Sequence, residues 1–359
     1  MADSWVCRAS WPRALLMVLG AFLALGAVGV AWASPTVAVA KASGRGALRV
    51  VADLRFPVNS GAYFPVTDPS TGVTFVGNSF DARIWAVDPT TLRLKVLHAG
   101  DCCGQYAMVP DASLGLLLTV GIDDYLHGLN IRSGQVTDYV VPRRFLASPS
   151  GLAVNPVTQV LYMTDTYNNN LYVFDIRTRH LRAALAVGSQ PCPALFCPAL
   201  ASSGILVDPR TNTVYDATGG TLYALNGATN KVTASAHIAA YLFLGQADPV
   251  TNALYAEYTP TGVSPTALVS IDARALAVRH RTWYQAPNGA WVNIRTDMGY
   301  VLVGNPAVLI AVDEHSGQVT YRLPLGVLPS GITGDPGTGR IYVTYMTSQS
   351  ASRMLVIQS

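Results

Sequence analysis

Charge is scarce in this chain of 359 residues: Asp, Glu, Lys and Arg make up 13% of it, and the formal net charge is +3. No run of five or six like charges is present, so the sequence lacks the basic pattern that is typical of nucleic-acid binding. Because half of the residues are hydrophobic, the composition also excludes an intrinsically disordered chain. We therefore expect a folded protein that does not bind nucleic acid.

Patterns typical of catalytic and metal sites are scarce as well. Only two glutamates are present, Glu257 and Glu314, so a mechanism that needs paired glutamates has few candidates. None of the six histidines lies at a spacing that would place two imidazoles on one metal ion, and no Gly-X-Ser-X-Gly sequence marks a serine nucleophile. We predict no catalytic residue, no metal ligand and no cofactor; a weakly bound divalent cation is the alternative.

The N-terminus has the organisation of an export signal. Arg8 and Arg13 precede an uncharged apolar run at residues 14–33, in which Ala31 and Ala33 form a small-residue cleavage pattern. We predict that residues 1–33 are a signal peptide. The alternative is an uncleaved membrane anchor, because about 20 apolar residues can span a bilayer. Either case places the folded part outside the cytoplasm, in an extracellular, periplasmic or cell-surface location.

The cysteines agree with export. Cys7 lies in the signal, and the other four form an adjacent pair, Cys102 and Cys103, and a spaced pair, Cys192 and Cys197. In an oxidising compartment we predict that these four form disulfides. Three pairings are possible, and the sequence does not choose between them. A four-thiolate metal site is the less favoured alternative, because its usual Cys-X-X-Cys spacing is absent.

One pattern returns seven times after residue 50. It reads Asp or Asn, usually Pro, any residue, usually Thr, a turn residue, two further residues and in most copies an aromatic residue. We call its first residue the anchor. The anchors are Asp68, Asp111, Asn155, Asp208, Asp248, Asn293 and Asp335. Their successive spacings are 43, 44, 53, 40, 45 and 42 residues, so a unit of about 44 residues is repeated.

Each part of the pattern has a physical reason. The Asp or Asn side chain can bond backbone N–H groups two residues on, and Pro presets φ, so the two residues open a turn. The fifth place favours a left-handed conformation, and six of its seven residues are Gly, Asn or Asp. A stretch of β-branched and aromatic residues follows, which predicts a strand.

Four such strands in each unit of about 44 residues are typical of a β-propeller blade. The last unit has only three strands, and a surplus strand at residues 47–54 lies at the other end of the chain, where it can complete that unit. We predict an all-β fold, a seven-bladed β-propeller of four-stranded antiparallel blades closed by this N-terminal strand. It would be one domain over residues 47–359, after a linker at residues 34–46. An open β-sandwich is the alternative.

The repeat also carries a resemblance. The segment NPVTQVLYMTDTYNNNLYVFDIRTRHLRAALAVGSQP from Asn155 and the segment DPGTGRIYVTYM from Asp335 resemble the YVTN repeat, and residues 164–169 resemble the related NHL repeat, both of the wider WD40/YVTN-like group of propellers. The resemblance covers nearly the whole mature chain and implies a seven-bladed propeller. Mild departures are Ala112 and Ile294 in place of Pro, and Leu114 in place of Thr. The repeat residues are structural, so the resemblance implies no particular function.

Binding is expected on one face of this ring. The loops from second to third strands and from fourth to first strands emerge on the same side, here called the loop face, and they are the least regular parts of the chain. Irregular loops on a rigid scaffold commonly carry binding, so we predict a monomeric interaction module for a protein, peptide or glycan, with the four cysteines bracing its loops. The candidate residues are Asp123, Asp124, Tyr125, Arg143, Arg144, Tyr167, Asn168, Glu257 and Tyr258.

Two other functions stay open. Related propellers that hydrolyse lactones hold a divalent cation at the channel mouth with carboxylate and amide side chains, which implies a cation-dependent lactonase- or lyase-like enzyme. Apart from the anchors, however, the predicted innermost strands offer Gln105 and Gln246 but no acid, and a hard cation prefers several oxygen ligands. The second alternative is a redox or cofactor-binding propeller, which only the adjacent cysteines support.

Overall fold

The chain folds into seven four-stranded sheets. The computed structural model describes residues 48–57, 61–78, 81–99, 105–121, 125–139, 149–165, 170–188, 202–259, 266–284, 287–304, 306–348 and 351–359, which contain 28 strands. Residues 1–47 and the four loop cysteines lie outside the described residues, so the predicted signal and disulfides stay predictions. Within the described part, no helix is long and apolar enough to cross a membrane.

The first four blades follow one another along the chain. Blade 1 contains β2 (Ala62–Thr67), β3 (Thr74–Asn78), β4 (Arg83–Val87) and β5 (Leu94–His98). Blade 2 contains β6 (Gln105–Asp111), β7 (Leu116–Gly121), β8 (Leu126–Asn130) and β9 (Val136–Asp138). Blade 3 contains β10 (Pro149–Asn155), β11 (Val160–Asp165), β12 (Asn170–Asp175) and β13 (Leu181–Ala186). Blade 4 contains β14 (Ser202–Asp208), β15 (Thr213–Thr218), β16 (Thr221–Asn226) and β17 (Lys231–His237).

The last three blades complete the ring. Blade 5 contains β18 (Tyr241–Asp248), β19 (Ala253–Thr259), β20 (Thr266–Asp272) and β21 (Ala277–Tyr284). Blade 6 contains β22 (Pro287–Asn293), β23 (Met298–Gly304), β24 (Ala307–Asp313) and β25 (Gln318–Pro324). Blade 7 contains β26 (Pro329–Asp335), β27 (Arg340–Ser348), β28 (Ala351–Gln358) and, from the other end of the chain, β1 (Arg49–Arg55).

Every sheet is antiparallel, and the innermost strand of each blade comes first in its unit. The exception in chain order is blade 7, where β1 pairs with β28 from Arg49 opposite Gln358 to Arg55 opposite Arg353. Side chains stabilise this pairing, because Tyr345 Oη and Arg353 Nε donate hydrogen bonds of 2.9 and 3.0 Å to Asp53 Oδ1. The prediction of a seven-bladed propeller closed by an N-terminal strand is confirmed.

The repeated turn lies between the first and second strands, on the face opposite the loop face, here called the turn face. At Asp68, one carboxylate oxygen accepts a 2.9 Å bond from the Ser70 N–H, and the other accepts a 2.8 Å bond from the Thr71 hydroxyl. This second bond explains the Thr in the fourth place. All seven residues in the fifth place have positive φ, including Gln159 at 56°.

The core lies between blades. Second and third strands are buried almost throughout, as in β11, whereas fourth strands such as β17 are largely exposed. Each large hydrophobic cluster therefore joins the facing sides of two neighbouring blades, as Tyr215 of blade 4 and Leu254 of blade 5 do. A side chain at such an interface therefore fills the space between two neighbouring blades.

Candidate functional site

The structure describes three of the nine residues predicted to form the binding face: Tyr125, Glu257 and Tyr258. The other six, Asp123, Asp124, Arg143, Arg144, Tyr167 and Asn168, lie outside the described residues. Tyr125 precedes β8 in blade 2, whereas the other two lie on β19 in blade 5, with blades 3 and 4 between them. The three residues therefore share the loop-face end of the ring but do not form one cluster.

Tyr125 stands over a buried imidazole. Its ring is 36% exposed and lies 6.1 Å, centroid to centroid, from the ring of His127. His127 is buried, and its Nδ1 is 2.7 Å from Oδ1 of Asp138 on the neighbouring strand β9. Since the imidazole already has this carboxylate partner, we assign the pair a structural role in fixing the loop-face end of blade 2.

Glu257 and Tyr258 point in opposite directions, because successive side chains of a strand alternate between its two faces. Tyr258 faces blade 4 and belongs to the blade 4/5 core. The guanidinium carbon of Arg281 lies 4.9 Å from its ring centroid, and Trp283 meets it edge to face at 5.7 Å. The indole of Trp283 is 49% exposed. Their assignment to a binding face stays a prediction, with the two side chains on opposite faces of β19.

Glu257 instead lines a cavity between blades 5 and 6, here called the blade 5/6 cavity. Its volume is about 520 Å³, and it is open to solvent on one side. The other lining residues are Phe243, Leu244, Gly245, Gln246, Tyr255, Ala256, Leu268, Gly289, Ala290, Trp291 and Val292. At its inner end, Gln246 Oε1 of β18 accepts a 3.2 Å hydrogen bond from the backbone N–H of Val292 on β22.

The cavity exists because the innermost strands of blades 5 and 6 do not pack together as their counterparts do. In blade 4, a Cβ on Gly204 would lie 2.7 Å from the carbonyl oxygen of Leu244 in blade 5, and in blade 7 a Cβ on Gly331 would lie 2.7 Å from Pro65 of blade 1. Blade 5 has Leu244 at the same repeat position, and its side chain packs into the blade 4/5 core. A Cβ on the following residue, Gly245, would have no atom of blade 6 within 4 Å.

A small residue on blade 6 enlarges the gap. Ala290 lies three residues before its anchor and packs beside Leu268 of blade 5. The other blades, except blade 5 with Gly245, carry a larger side chain at this position. Those residues are Pro65, Met108, Leu152, Ile205 and Ile332. Ile205 and Ile332 each approach the glycine of the preceding blade, with a methyl carbon 3.2 Å from where its Cβ would lie.

Glu257 occupies a repeat position that is otherwise uncharged. The corresponding residues of the other six blades are all buried. They are Gly77, Val120, Thr164, Ala217, Leu302 and Thr344. In the register of blade 5, Glu257 lies opposite Phe243 of β18 and Leu268 of β20, on the side that faces blade 6. The carboxylate is therefore an addition to the repeat that the fold does not require.

The surroundings of Glu257 favour its neutral form. Protein atoms surround the carboxyl so closely that burial raises its pKa to about 7, although part of the residue remains accessible to solvent. Both observations fit a carboxyl recessed in a cavity. No hydrogen bond or ion pair joins Glu257 to any of the described residues. A carboxylate in such a place lacks the partners that normally offset its loss of hydration.

The residues that sequence analysis missed are Phe243, Ala290 and, as a cavity wall, Leu268. The signal was present in the aligned repeats: Glu257 is charged at a position that is uncharged in the other six blades, and Ala290 is small at a position that is larger in five of them. For a cation site, the described residues offer no group of three or more His, Cys, Asp or Glu side chains. Gln246 is bonded to Val292, and the side chain of Gln105 lies outside the described residues.

Comparison with known proteins identifies the fold alone. No family model matches the chain, and no curated protein matches it in sequence. Among solved structures it is similar to the β-propeller domain of Cps50 (Swd1) from Myceliophteria thermophila, with a TM-score of 0.68 and 11% sequence identity over 87% of this chain and 99% of that chain. The chain is thus a seven-bladed β-propeller, a fold that commonly mediates protein interactions. Membership of the YVTN or NHL repeat families stays a prediction.

Proposed function

We propose that this protein is an exported, monomeric propeller of the YVTN/NHL type that acts as an interaction module and binds a protein, peptide or glycan through its loop face. The observation that carries the proposal is the group of aromatic side chains at the loop-face end of blade 5. Trp283, on the outermost strand of the blade, is 49% exposed and meets the Tyr258 ring edge to face. Arg281 lies over the same ring.

This composition is typical of a binding surface. Exposed aromatic rings and arginine are enriched where proteins bind partners, because they bury large rigid areas at low entropic cost. The rest of the blade holds them in place, since Tyr258 is fixed between Arg281 and Trp283. A rigid aromatic surface loses little freedom on binding, which favours affinity.

The test is a selection of ligands from a random peptide library and from a glycan array, repeated with Trp283→Ala. The matched control is Val250→Ala, which removes an exposed side chain (79%) from the turn face. We expect ligands of the unaltered protein to bind Trp283→Ala at least about 10-fold more weakly, and to bind Val250→Ala unchanged. Equal loss in both variants, or binding that Trp283→Ala leaves intact, would contradict the proposal.

A further inference from the structure

We infer that the blade 5/6 cavity is a binding site for an organic ammonium group on an apolar stem, with the carboxylate of Glu257 as its counter-ion. This site is separate from the aromatic group on the blade 4 side of blade 5, because Glu257 and Tyr258 lie on opposite faces of β19. The inference therefore stands or falls independently of the proposed function.

The cavity has the size and lining of a small-molecule site. Its volume of about 520 Å³ lies within the usual range of ligand pockets, which are mostly apolar with a few polar groups that fix orientation. The stem of the ligand would contact Phe243, Leu268 and Ala290. Phe243, at the start of β18, is 48% exposed, so an apolar ligand would cover a ring that water now reaches.

The charge in the cavity is unbalanced. Among the described lining residues from β18, β19, β20 and β22, Glu257 is the only one that carries a charge, and Tyr255 is the only other titratable side chain. Burial raises the pKa of Tyr255, and the Glu314 carboxyl raises it further, so this phenol stays neutral. From the described lining, a cation entering the cavity would therefore meet one carboxylate and no competing positive group.

Other ligand classes fit this site less well. A divalent metal ion needs several oxygen ligands. Among the described lining residues, the only other side-chain oxygens are the Gln246 Oε1, which already accepts the Val292 N–H, and the Tyr255 hydroxyl. An anion would be repelled by Glu257. A purely apolar ligand would bury the carboxylate without a partner, at a cost that an ammonium group avoids by donating hydrogen bonds to it.

The repeat itself does not require these residues. Six blades form the same interface position without a carboxylate, and blade 7 fills the space opposite Gly289 with Ile332. Glu257 and Ala290 thus both depart from the repeat at the same one of the seven interfaces. Glu257 supplies a charge, and the small side chain of Ala290 leaves space for a ligand. Both are what an ammonium site requires and neither benefits packing.

The pH dependence of binding follows from the carboxyl. Because burial raises the pKa of Glu257 to about 7, only its ionised fraction is competent to pair with an ammonium group. This fraction is near one at about pH 8 and falls about 30-fold by pH 5.5, so the apparent affinity should fall by the same factor. Alkylammonium groups stay charged over this range, so the change would report Glu257.

The experiment is calorimetric titration of protein purified after expression of the full chain, at about pH 8. The probes are n-hexylamine, cyclohexylamine and 2-phenylethylamine, each paired with the alcohol of the same carbon skeleton. Nα-acetyl-lysine methylamide forms a separate arm. Tighter binding of the lysine derivative than of the free amines would identify a peptide side chain as the natural ligand, and the reverse order would identify a free amine.

Three variants complete the design. We expect Glu257→Gln to weaken amine binding at least about 10-fold, with the pH dependence lost as well. Ala290→Ile should abolish binding by filling the cavity with the side chain found in blades 4 and 7. The matched control is Glu314→Gln, the same substitution at the only other glutamate, which should bind as the unaltered protein does.

Three results would each overturn the inference. One is that no amine binds at concentrations up to about 10 mM. Another is that the alcohols bind as tightly as the amines, which would indicate a purely apolar cavity. The third is that Glu257→Gln retains both affinity and pH dependence. Because Glu257→Gln removes a buried charge and Ala290→Ile adds apolar contacts, neither variant is expected to impair folding.

Discussion

Glu314 is expected to make the protein less stable as the pH rises towards neutrality. It follows β24 in the turn to β25, is 8% exposed, and its Oε1 has no hydrogen-bond partner among the described residues. The carboxyl packs directly against the backbone of Gly299, where a Cβ would overlap it. Burial, followed by the nearby charges of Asp313 and Asp297, raises its pKa to about 7.

The size of the effect follows from proton binding. In the unfolded chain Glu314 loses its proton around its ordinary pKa of 4.5, whereas the folded protein keeps that proton up to about pH 7. Between these values the folded state binds more protons, so the free energy of unfolding falls as the pH rises and levels off above about pH 7. A pKa difference of about 2.5, at about 1.4 kcal/mol per pKa unit, corresponds to about 3 kcal/mol.

The variant that tests this is Glu314→Gln, which keeps the shape of the side chain and removes its titration. At about pH 8 it should be more stable than the unaltered protein by up to about 3 kcal/mol, and at about pH 5 by less than about 1 kcal/mol. For a domain of this size, about 3 kcal/mol corresponds to a rise of roughly 5 °C in Tm.

The assay is urea unfolding of both proteins at the two pH values. The other ionisable groups are common to both proteins, so their effects cancel in the comparison. If the unaltered protein and Glu314→Gln lose the same stability between pH 5 and pH 8, the assignment of a buried, unpartnered carboxyl is refuted. Glu257→Gln should give a smaller gain, because Glu257 faces a cavity that solvent reaches.

Two further predictions concern ring closure and blade packing. Replacing Asp53 by Ala removes the acceptor of Tyr345 and Arg353. We expect the pairing of β1 to lose about 1–2 kcal/mol of stability, measured as faster hydrogen exchange of the β1 amides. Unchanged exchange would contradict this role. Gly204→Ala places a Cβ 2.7 Å from a backbone oxygen and should lower the free energy of unfolding in urea by more than about 2 kcal/mol. The control is Gly115→Ala, also at positive φ but in open space, which should lower it by about 1 kcal/mol. Equal losses would refute the packing argument.

The ring could be predicted from sequence because its information is local. Each anchor specifies a turn through bonds within four residues, as Asp208 does with the N–H of Arg210 and the hydroxyl of Thr211. Seven copies of that turn fix the number of blades. Even Gln159, a residue type not enriched at positive φ, adopts the turn conformation at 56°, which shows that the repeat overrides the preference of one residue.

The candidate site could be predicted only in part. Nearness to a loop predicts Glu257 as a binding residue, but the same reason also selects Tyr258, which faces the other blade. The cavity depends on what faces Glu257 across the interface, above all on the short side chain of Ala290. It also depends on the bulge at Gly245, which shifts the β18 register between Leu244 and Gln246. These features depend on contacts between neighbouring blades, whereas the repeat pattern describes the residues of a single blade.

Both glutamates of this chain lie beside the same interface, Glu257 towards the loop face and Glu314 towards the turn face. Among the described residues, the innermost strands at this interface, β18 and β22, also make the sparsest contact of the seven neighbouring pairs. Because both carboxyls have raised pKa values, we expect this junction to be less stable above neutral pH than below it. A cation that pairs with Glu257 would remove part of that cost, so ligand binding in the cavity would also stabilise the junction that forms it.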